Sequence, residues 1–330
     1  MAMIVDMVKN KWGAPPKEST ESFAGRNVLV TGATSGLGYA AAAKFAKLGA
    51  SKVIITARDE AKGELTKSKL EADVGKAGQF EVWQLNMDSY DSIVKFSQRA
   101  FSELDHLDVA ILNIGIFNTS YKQSEYGWEQ DLQVNTLSTI LLGILLLPKL
   151  KESQKQSGKI PVLQFVNSGM HKVVEISADV RNKPAILPEF NGEKAFSGGQ
   201  KQYGYSKLLQ RYAAVQLAKK IPSSEVIITA VCPGAVVTNI DRDVKFPGVK
   251  IVRAIAHALA FRTADLGANI YITGASQNQE QHGRFYATDK IEPDAPSIVG
   301  EENEKLALRV LNEIVEELAK HVPEVKEHLP

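Results

Sequence analysis

The chain has 330 residues, 44% of them hydrophobic, and a formal charge of +1. That suffices for one large α/β core and is too near neutral for electrostatic capture of nucleic acid. Its one cysteine, Cys232, excludes an internal disulfide and fits a reducing compartment, and its six histidines show no ligand spacing, so no metal is expected.

Residues 1–22 read as an N-terminal arm. Residues 1–7 are too short for a signal sequence and lack a basic start, while Ala14-Pro15-Pro16 reads as extended chain, so a cytoplasmic protein is expected. From residue 23 onward, short apolar runs at 28–30, 53–56, 80–85, 109–112, 162–166 and 226–231 alternate with amphipathic stretches. This order predicts a single Rossmann-type doubly wound parallel sheet with helices on both faces, spanning 23–330.

The first run leads into Thr31-Gly32-Ala33-Thr34-Ser35-Gly36-Leu37-Gly38 and then a helical pattern over 39–48. Strand, glycine turn and helix in this order suit a pyrophosphate: Gly32 for the turn, Gly36 for close approach, Gly38 for helix packing. The second run ends in Thr56-Ala57-Arg58-Asp59. An acidic residue at this strand end would hold ribose hydroxyls, whereas a guanidinium suits a 2′-phosphate. Ala57 and Arg58 therefore favour NADPH/NADP+, and Asp59 is the complication, since it could pair with Arg58 or turn toward the ribose.

Farther along, residues 140–147 form the longest apolar run, too short to span a bilayer and better read as a buried helix. Tyr203 and Lys207 stand four apart, on one face of a helix. An ammonium beside a phenol would lower the phenol's pKa from about 10 and tune it for proton transfer. The same spacing recurs at Tyr286 and Lys290, at what reads as a strand end, so spacing alone assigns nothing. The stretch 301–318 reads as an amphipathic helix with Leu306, Leu308, Val310, Leu311, Ile314, Val315 and Leu318 on its apolar face, part of a C-terminal appendage over 301–330.

Taken together, Thr31, Gly32, Gly36 and Gly38, the stretch Leu112-Asn113-Ile114-Gly115, Asn135, Ser168, Tyr203 with Lys207, and Pro233-Gly234 with Thr238 resemble, in order, the motifs of the short-chain dehydrogenase/reductase family. Leu112 and Ile114 depart from the family's Asn-Asn-Ala-Gly. The resemblance covers about 23–290 and is weakest over 169–202, where an insertion makes the gap from Ser168 to Tyr203 longer than usual. The insertion, the start Ser22-Phe23-Ala24-Gly25-Arg26 and the form Tyr-x-x-Ser-Lys-Leu-Leu look like fungal members that tailor secondary metabolites.

The resemblance implies hydride transfer between nicotinamide and a carbonyl carbon. Tyr203 would supply the proton, Ser168 hold the carbonyl oxygen, Lys207 keep Tyr203 acidic and hold the ribose, and Asn135 support a water chain. The cofactor would meet Thr31, Gly32, Ser35, Gly36, Leu37, Gly38, Arg58, Asn86, Met87, Asn113, Gly115, Tyr203, Lys207, Pro233, Gly234, Val236 and Thr238. His171 reads as a loop residue near the pocket mouth and Cys232 as a buried strand thiol.

Three segments are expected to form the substrate pocket, 114–126, 169–202 and 239–262. They contribute Ile116, Phe117, Met170, Phe190, Phe196, Phe246, Ile251 and Phe261, which suit a small apolar ketone or aldehyde, or the matching alcohol. The resemblance also implies a homodimer or homotetramer through helices near 135–150 and 203–219, a surface the insertion could cover. Two other functions stay open: an epimerase or dehydratase of the extended relatives, against which the glycine spacing argues, and a non-catalytic NADP(H)-binding partner, against which Ser168, Tyr203 and Lys207 argue.

Overall fold

In the computed structural model, which describes residues 11–238, 257–276 and 278–329, the six apolar runs become parallel strands. They are β1 (Asn27–Val30), β2 (Lys52–Ala57), β3 (Phe80–Gln84), β4 (Val109–Leu112), β5 (Val162–Val166) and β6 (Ile227–Cys232). Two short strands complete the sheet, β7 (Phe285–Ala287) and β8 (Lys290–Glu292), in the order β3-β2-β1-β4-β5-β6-β7-β8. Only the β7–β8 pair is antiparallel.

Alternate residues of each strand face opposite layers. Leu29, Ile54, Ala110, Leu112, Leu163 and Phe165 enter one apolar core, while Val28, Val30, Val53, Ile55, Val109 and Ile111 enter the other. Burial on both faces is what makes these strands read as unbroken apolar runs. The helices that cover them are α1 (Gly36–Lys47), α2 (Glu60–Val74), α3 (Tyr90–Glu103), α4 (Thr139–Ser157), α5 (Ala178–Arg181), α6 (Gly199–Lys220), α7 (Ala264–Ala275) and α8 (Glu301–Ala319).

A π-helical segment, Leu132–Ser138, runs directly into α4. The combined stretch Leu132–Ser157 is long and apolar enough to cross a membrane, but 94% of its most apolar window is buried inside the fold, as expected of a core helix.

Tyr286 and Lys290 lie on opposite strands of the β7–β8 hairpin, joined through Thr288 and Asp289, both at positive φ. The repeated spacing there therefore lies on no helix. The α8 face is as expected at Leu306, Val310, Leu311, Ile314 and Leu318, whereas Leu308 points to solvent.

This helix packs on α6, and the turn after it, Pro323–Lys326, packs on α4. The appendage thus covers from within much of the face that the resemblance assigns to subunit contacts. It also clasps the insertion. Glu313 accepts from the backbone of Ile186 and Leu187 at 2.7 and 2.9 Å, and Arg309 donates to the carbonyls of Arg181 and Lys183, both at 2.7 Å.

Residues 11–17 lie against the far end of the chain: Lys11 donates to Phe261 O at 2.5 Å, Arg262 to Ala14 O at 2.9 Å, and Asn269 to Pro16 O at 3.2 Å. Residues 1–10 of the arm, and Phe246 and Ile251 of the expected pocket, lie outside the described residues.

Candidate active site

The strand order reverses between β1 and β4, and the crevice beyond the strand ends there is where open α/β sheets bind ligands. At the end of β1, Gly32 and Gly36 have φ of 65° and 58°, the region open to glycine. A Cβ on Gly36 would find only Thr238 nearby, at 3.8 Å, so the main chain there is approachable from outside. At Gly38 a Cβ would fall 2.5 Å from Gly32 O, so this glycine serves the packing of α1 on the sheet.

The N-terminus of α1 is built unlike those of its neighbours. Asp59 caps α2 by accepting from Lys62 N at 2.7 Å, and Ser89 caps α3. Ser35, by contrast, makes no side-chain cap, and the first turn of α1 carries no acidic residue. Its N–H groups and the positive end of its dipole are thus offered to an anion, and with the open backbone at Gly36 they fit a dinucleotide pyrophosphate.

At the end of β2, Ala57 is buried and Arg58 extends outward, in a loose 3.8 Å ion pair with Asp88. Asp59 is held as a helix cap through one carboxylate oxygen, and Arg58 pairs with Asp88 rather than with it. Asn86 accepts from Asp88 N at 3.2 Å, and the Met87 side chain is buried in the core, which leaves its backbone for any contact.

Two expected cofactor residues are engaged with each other. Thr31 Oγ1 accepts from the backbone N–H groups of Asn113 and Ile114 at 2.8 and 3.1 Å. The Asn113 amide donates to Thr31 O at 2.8 Å and accepts from the Tyr271 hydroxyl at 2.9 Å. They staple the ends of β1 and β4 and shape the crevice rather than reach into it. Pro233, Gly234, Val236 and Thr238 follow β6, with Gly234 at φ 79°; Val236 bridges Arg262 and packs beside Leu37 at Gly267.

Ser168, Tyr203, Lys207 and Asn135 are far apart in sequence and meet here. The Ser168 hydroxyl lies close enough to the Tyr203 phenol to lower its pKa. Lys207 Nζ lies 5.8 Å from the Tyr203 ring centre, donates to Val166 O at 2.9 Å, and would be 3.5 Å from a Cβ on Gly115. Gly115 thus keeps the space before the lysine open.

The charge balance corrects the simple expectation for the tyrosine. Burial pushes the Tyr203 phenol above its usual 10, outweighing the neighbouring Ser168 hydroxyl that lowers it, with Cys232 and Asp131 raising it further. Burial likewise brings Lys207 down to about 8. Desolvation of both groups is larger than any help the ammonium gives the phenolate.

Asn135 sits within the π-helical segment. Its side chain donates to Ile116 O at 2.9 Å and to Ser206 Oγ at 3.0 Å, and accepts from Ile116 N at 2.8 Å. With the amide so engaged, what Asn135 can still offer is its main-chain carbonyl, which already accepts from Gln210 Nε2 at 2.7 Å. Phe117, one residue beyond the bonded Ile116, meets the Tyr203 ring edge-on at 5.7 Å, and Phe196 of the insertion meets Tyr121 at 6.4 Å. Phe190 instead packs in the core against Tyr205.

His171 is fully buried and not at the pocket mouth: Nδ1 donates to Ser168 O at 2.7 Å, Nε2 has no partner, and burial lowers its pKa to about 4. Cys232 is buried with its thiol pushed up.

Several site residues lie outside the recognised motifs. Glu129 and Asp131 form a fully buried acidic pair one turn before Asn135, and Asp131 accepts from Asn118 at 2.8 Å. Asn167 and Gln210 join Ser168 to α6 and the π-helical segment. Their signal in the sequence is slight: Asn167 adjoins Ser168, and Gln210 lies seven residues, two helical turns, after Tyr203.

A glycine-turn nucleotide cradle and a Ser-Tyr-Lys cluster at the switch point of a doubly wound sheet define a nicotinamide oxidoreductase scaffold. Comparison with known proteins agrees. Residues 26–176 match the model for short chain dehydrogenases. The chain is 37% identical to the short-chain dehydrogenase/reductase ffsI of Aspergillus flavipes, covering 96% of this chain and 92% of that one. It is 36% identical to phmF of Phaeosphaeria nodorum, covering 94% and 92%. Among solved structures it resembles a short-chain dehydrogenase from Sphingobium yanoikuyae in complex with NADPH, with a TM-score of 0.54 and 22% identity over 76% of this chain and 84% of that one. The chain belongs to the short-chain dehydrogenase/reductase family.

Proposed function

We propose that this oxidoreductase reduces the carbonyl of a small apolar molecule, a ketone or aldehyde, to an alcohol at the expense of NADPH. The observation that carries the reading is the convergence of Ser168, Tyr203 and the buried Lys207 beyond the strand ends, with Lys207 Nζ 5.8 Å from the Tyr203 ring centre and Ser168 near enough to act on the phenol. NADPH would supply a hydride to the carbonyl carbon, leaving NADP+. Ser168 then holds the carbonyl oxygen, and Tyr203, whose raised pKa keeps it protonated at neutral pH, gives its proton to the forming alkoxide. Lys207 stabilises the tyrosinate that results, and the Asn135 carbonyl anchors the water chain that returns a proton to it.

Preference for NADPH is supported by the outward Arg58 and by the use of Asp59 as a helix cap. The aromatic edges of Phe117, Tyr121 and Phe196 support an apolar substrate. An intermediate of secondary metabolism is proposed as its source from the likeness of the insertion and motifs to fungal members, and the relatives named above are fungal.

The test is NADPH oxidation by the purified chain against a panel of apolar ketones and aldehydes, with NADH run alongside and a Ser168→Ala variant. Turnover that prefers NADPH and falls at least about 100-fold in the variant is expected, given the worth of a placed hydrogen-bond donor to a developing oxyanion. Undiminished turnover in Ser168→Ala would remove the serine from the mechanism.

A further inference from the structure

We propose that Asn167 and Gln210 are positioning residues, a buried side-chain amide bridge that holds Ser168, the Lys207 turn of α6 and the Asn135 carbonyl in one fixed arrangement. The proposal rests on the roles given above to Ser168, Lys207 and Asn135.

The bridge is continuous. Asn167, at the end of β5, accepts from the backbone N–H of Ser168 at 2.8 Å, which fixes the peptide plane from which the serine side chain departs. Its Nδ2 donates to Lys207 O at 2.9 Å and to Gln210 Oε1 at 2.8 Å. Gln210 Nε2 donates in turn to Asn135 O at 2.7 Å. Gln210 is fully buried and Asn167 nearly so.

Two buried amides between a strand, a helix and a π-helical segment are costly unless their polar groups are paired, and packing alone would be served as well by apolar side chains. An amide of this reach offers an acceptor to one neighbour and a donor to the next, whereas a carboxylate has no donor for Asn135 O and an aliphatic chain has neither. The three ends of the bridge are three groups that the mechanism needs. A carbonyl oxygen has two lone pairs, so Gln210 can orient the Asn135 carbonyl and still leave it one acceptor position for the proton-returning chain.

The test compares Gln210→Met, which keeps the bulk and removes both bonds, with Asn167→Ala and the double variant in the full-length chain. Readouts are kcat, the Kd for NADPH by fluorescence titration, and the thermal unfolding midpoint. Expected is a fall in kcat per NADPH-binding site of about ten-fold or more, as small misplacements of reacting groups produce, with NADPH affinity unchanged. The double variant should be no slower than the slower single one, because both break one network.

Should Gln210→Met not fold, Gln210→Leu serves instead: it likewise lacks both the acceptor for Asn167 and the donor to Asn135 O, and is expected to slow kcat in the same way. Wild-type kcat per binding site in the folded Gln210 variant, or losses that merely track the folded fraction, would overturn the proposal while wild-type turnover leaves the reductase reading intact. A wild type that binds NADPH but turns over no carbonyl would overturn both.

Discussion

At the scale of single residues, the site is governed by the cost of burying charge. Tyr203 stays protonated and Lys207 comes down to about 8 because both lie in a desolvated crevice. The same cost falls on Asp131, whose carboxyl is raised from 3.8 to about 7 by burial and by Glu129 beside it, against the hydrogen bonds from Asn118. Since the folded state holds this proton more tightly than the unfolded chain, the stability it contributes is fully present below about pH 4 and is lost as pH rises toward 7. In Asp131→Asn the oxygen that accepts both Asn118 bonds can be kept and the titration is gone. The variant should therefore gain in Tm over wild type between pH 4 and 7, by several degrees at the upper end. A difference in Tm that does not change with pH would mean that Asp131 is ionised in the fold throughout. None of this could be read from the sequence, where Glu129 and Asp131 look like ordinary surface acids; only the path of the chain buries them.

At the scale of elements, the regular parts were legible and the irregular ones were not. Strands 109–112 and 162–166 match their apolar runs residue for residue, because parallel strands buried on both faces leave an uninterrupted hydrophobic signature. The π-helical turn at Leu132–Ser138 has no comparable pattern, and it forms because α6 holds it: Thr136 donates to Ser206 O at 2.8 Å and Gln210 to Asn135 O at 2.7 Å. The insertion is likewise defined by tertiary contact. Its backbone is bonded to Glu313 and Arg309 of α8, and Gln202, at its end, donates to Phe190 O and to Glu129 at 3.0 and 2.9 Å. The helix α8 is thus a structural member of the pocket side as well as a cover for α6. It buries Leu306, Val310, Leu311, Ile314 and Leu318, each worth roughly 1.5–3 kcal/mol, a sum of the same order as the whole stability of a domain. Truncation after Gly300 should therefore abolish the cooperative thermal transition and the soluble product with it. A truncated chain that melts near the wild-type temperature would show the appendage to be dispensable.

At the scale of the whole molecule, the sheet order explains why residues from 31 to 238 share one crevice. The chain reverses its direction of travel across the sheet between β1 and β4, so the ends of β1, β2, β4, β5 and β6 deliver the glycine turn, Arg58, Gly115, Ser168 and Pro233 to one edge, and α6 brings Tyr203 and Lys207 across it. This much followed from the order of motifs in the sequence, since each sits at the end of an apolar run and only a doubly wound sheet gathers such ends. The support behind them did not follow, because Asn167 and Gln210 act through bonds between segments with no fixed spacing. In the proposed mechanism the whole arrangement comes down to one phenol, Tyr203, that gives up a proton. The most direct measurement is therefore NADPH oxidation in the presence of a carbonyl that the wild type reduces, repeated with Tyr203→Phe, with NADPH binding followed in both. Retained NADPH binding with turnover reduced at least about 100-fold, the usual worth of a placed general acid, is the expected result. Turnover that survives the loss of the hydroxyl would contradict the assignment of Tyr203 as the acid and the account built on it.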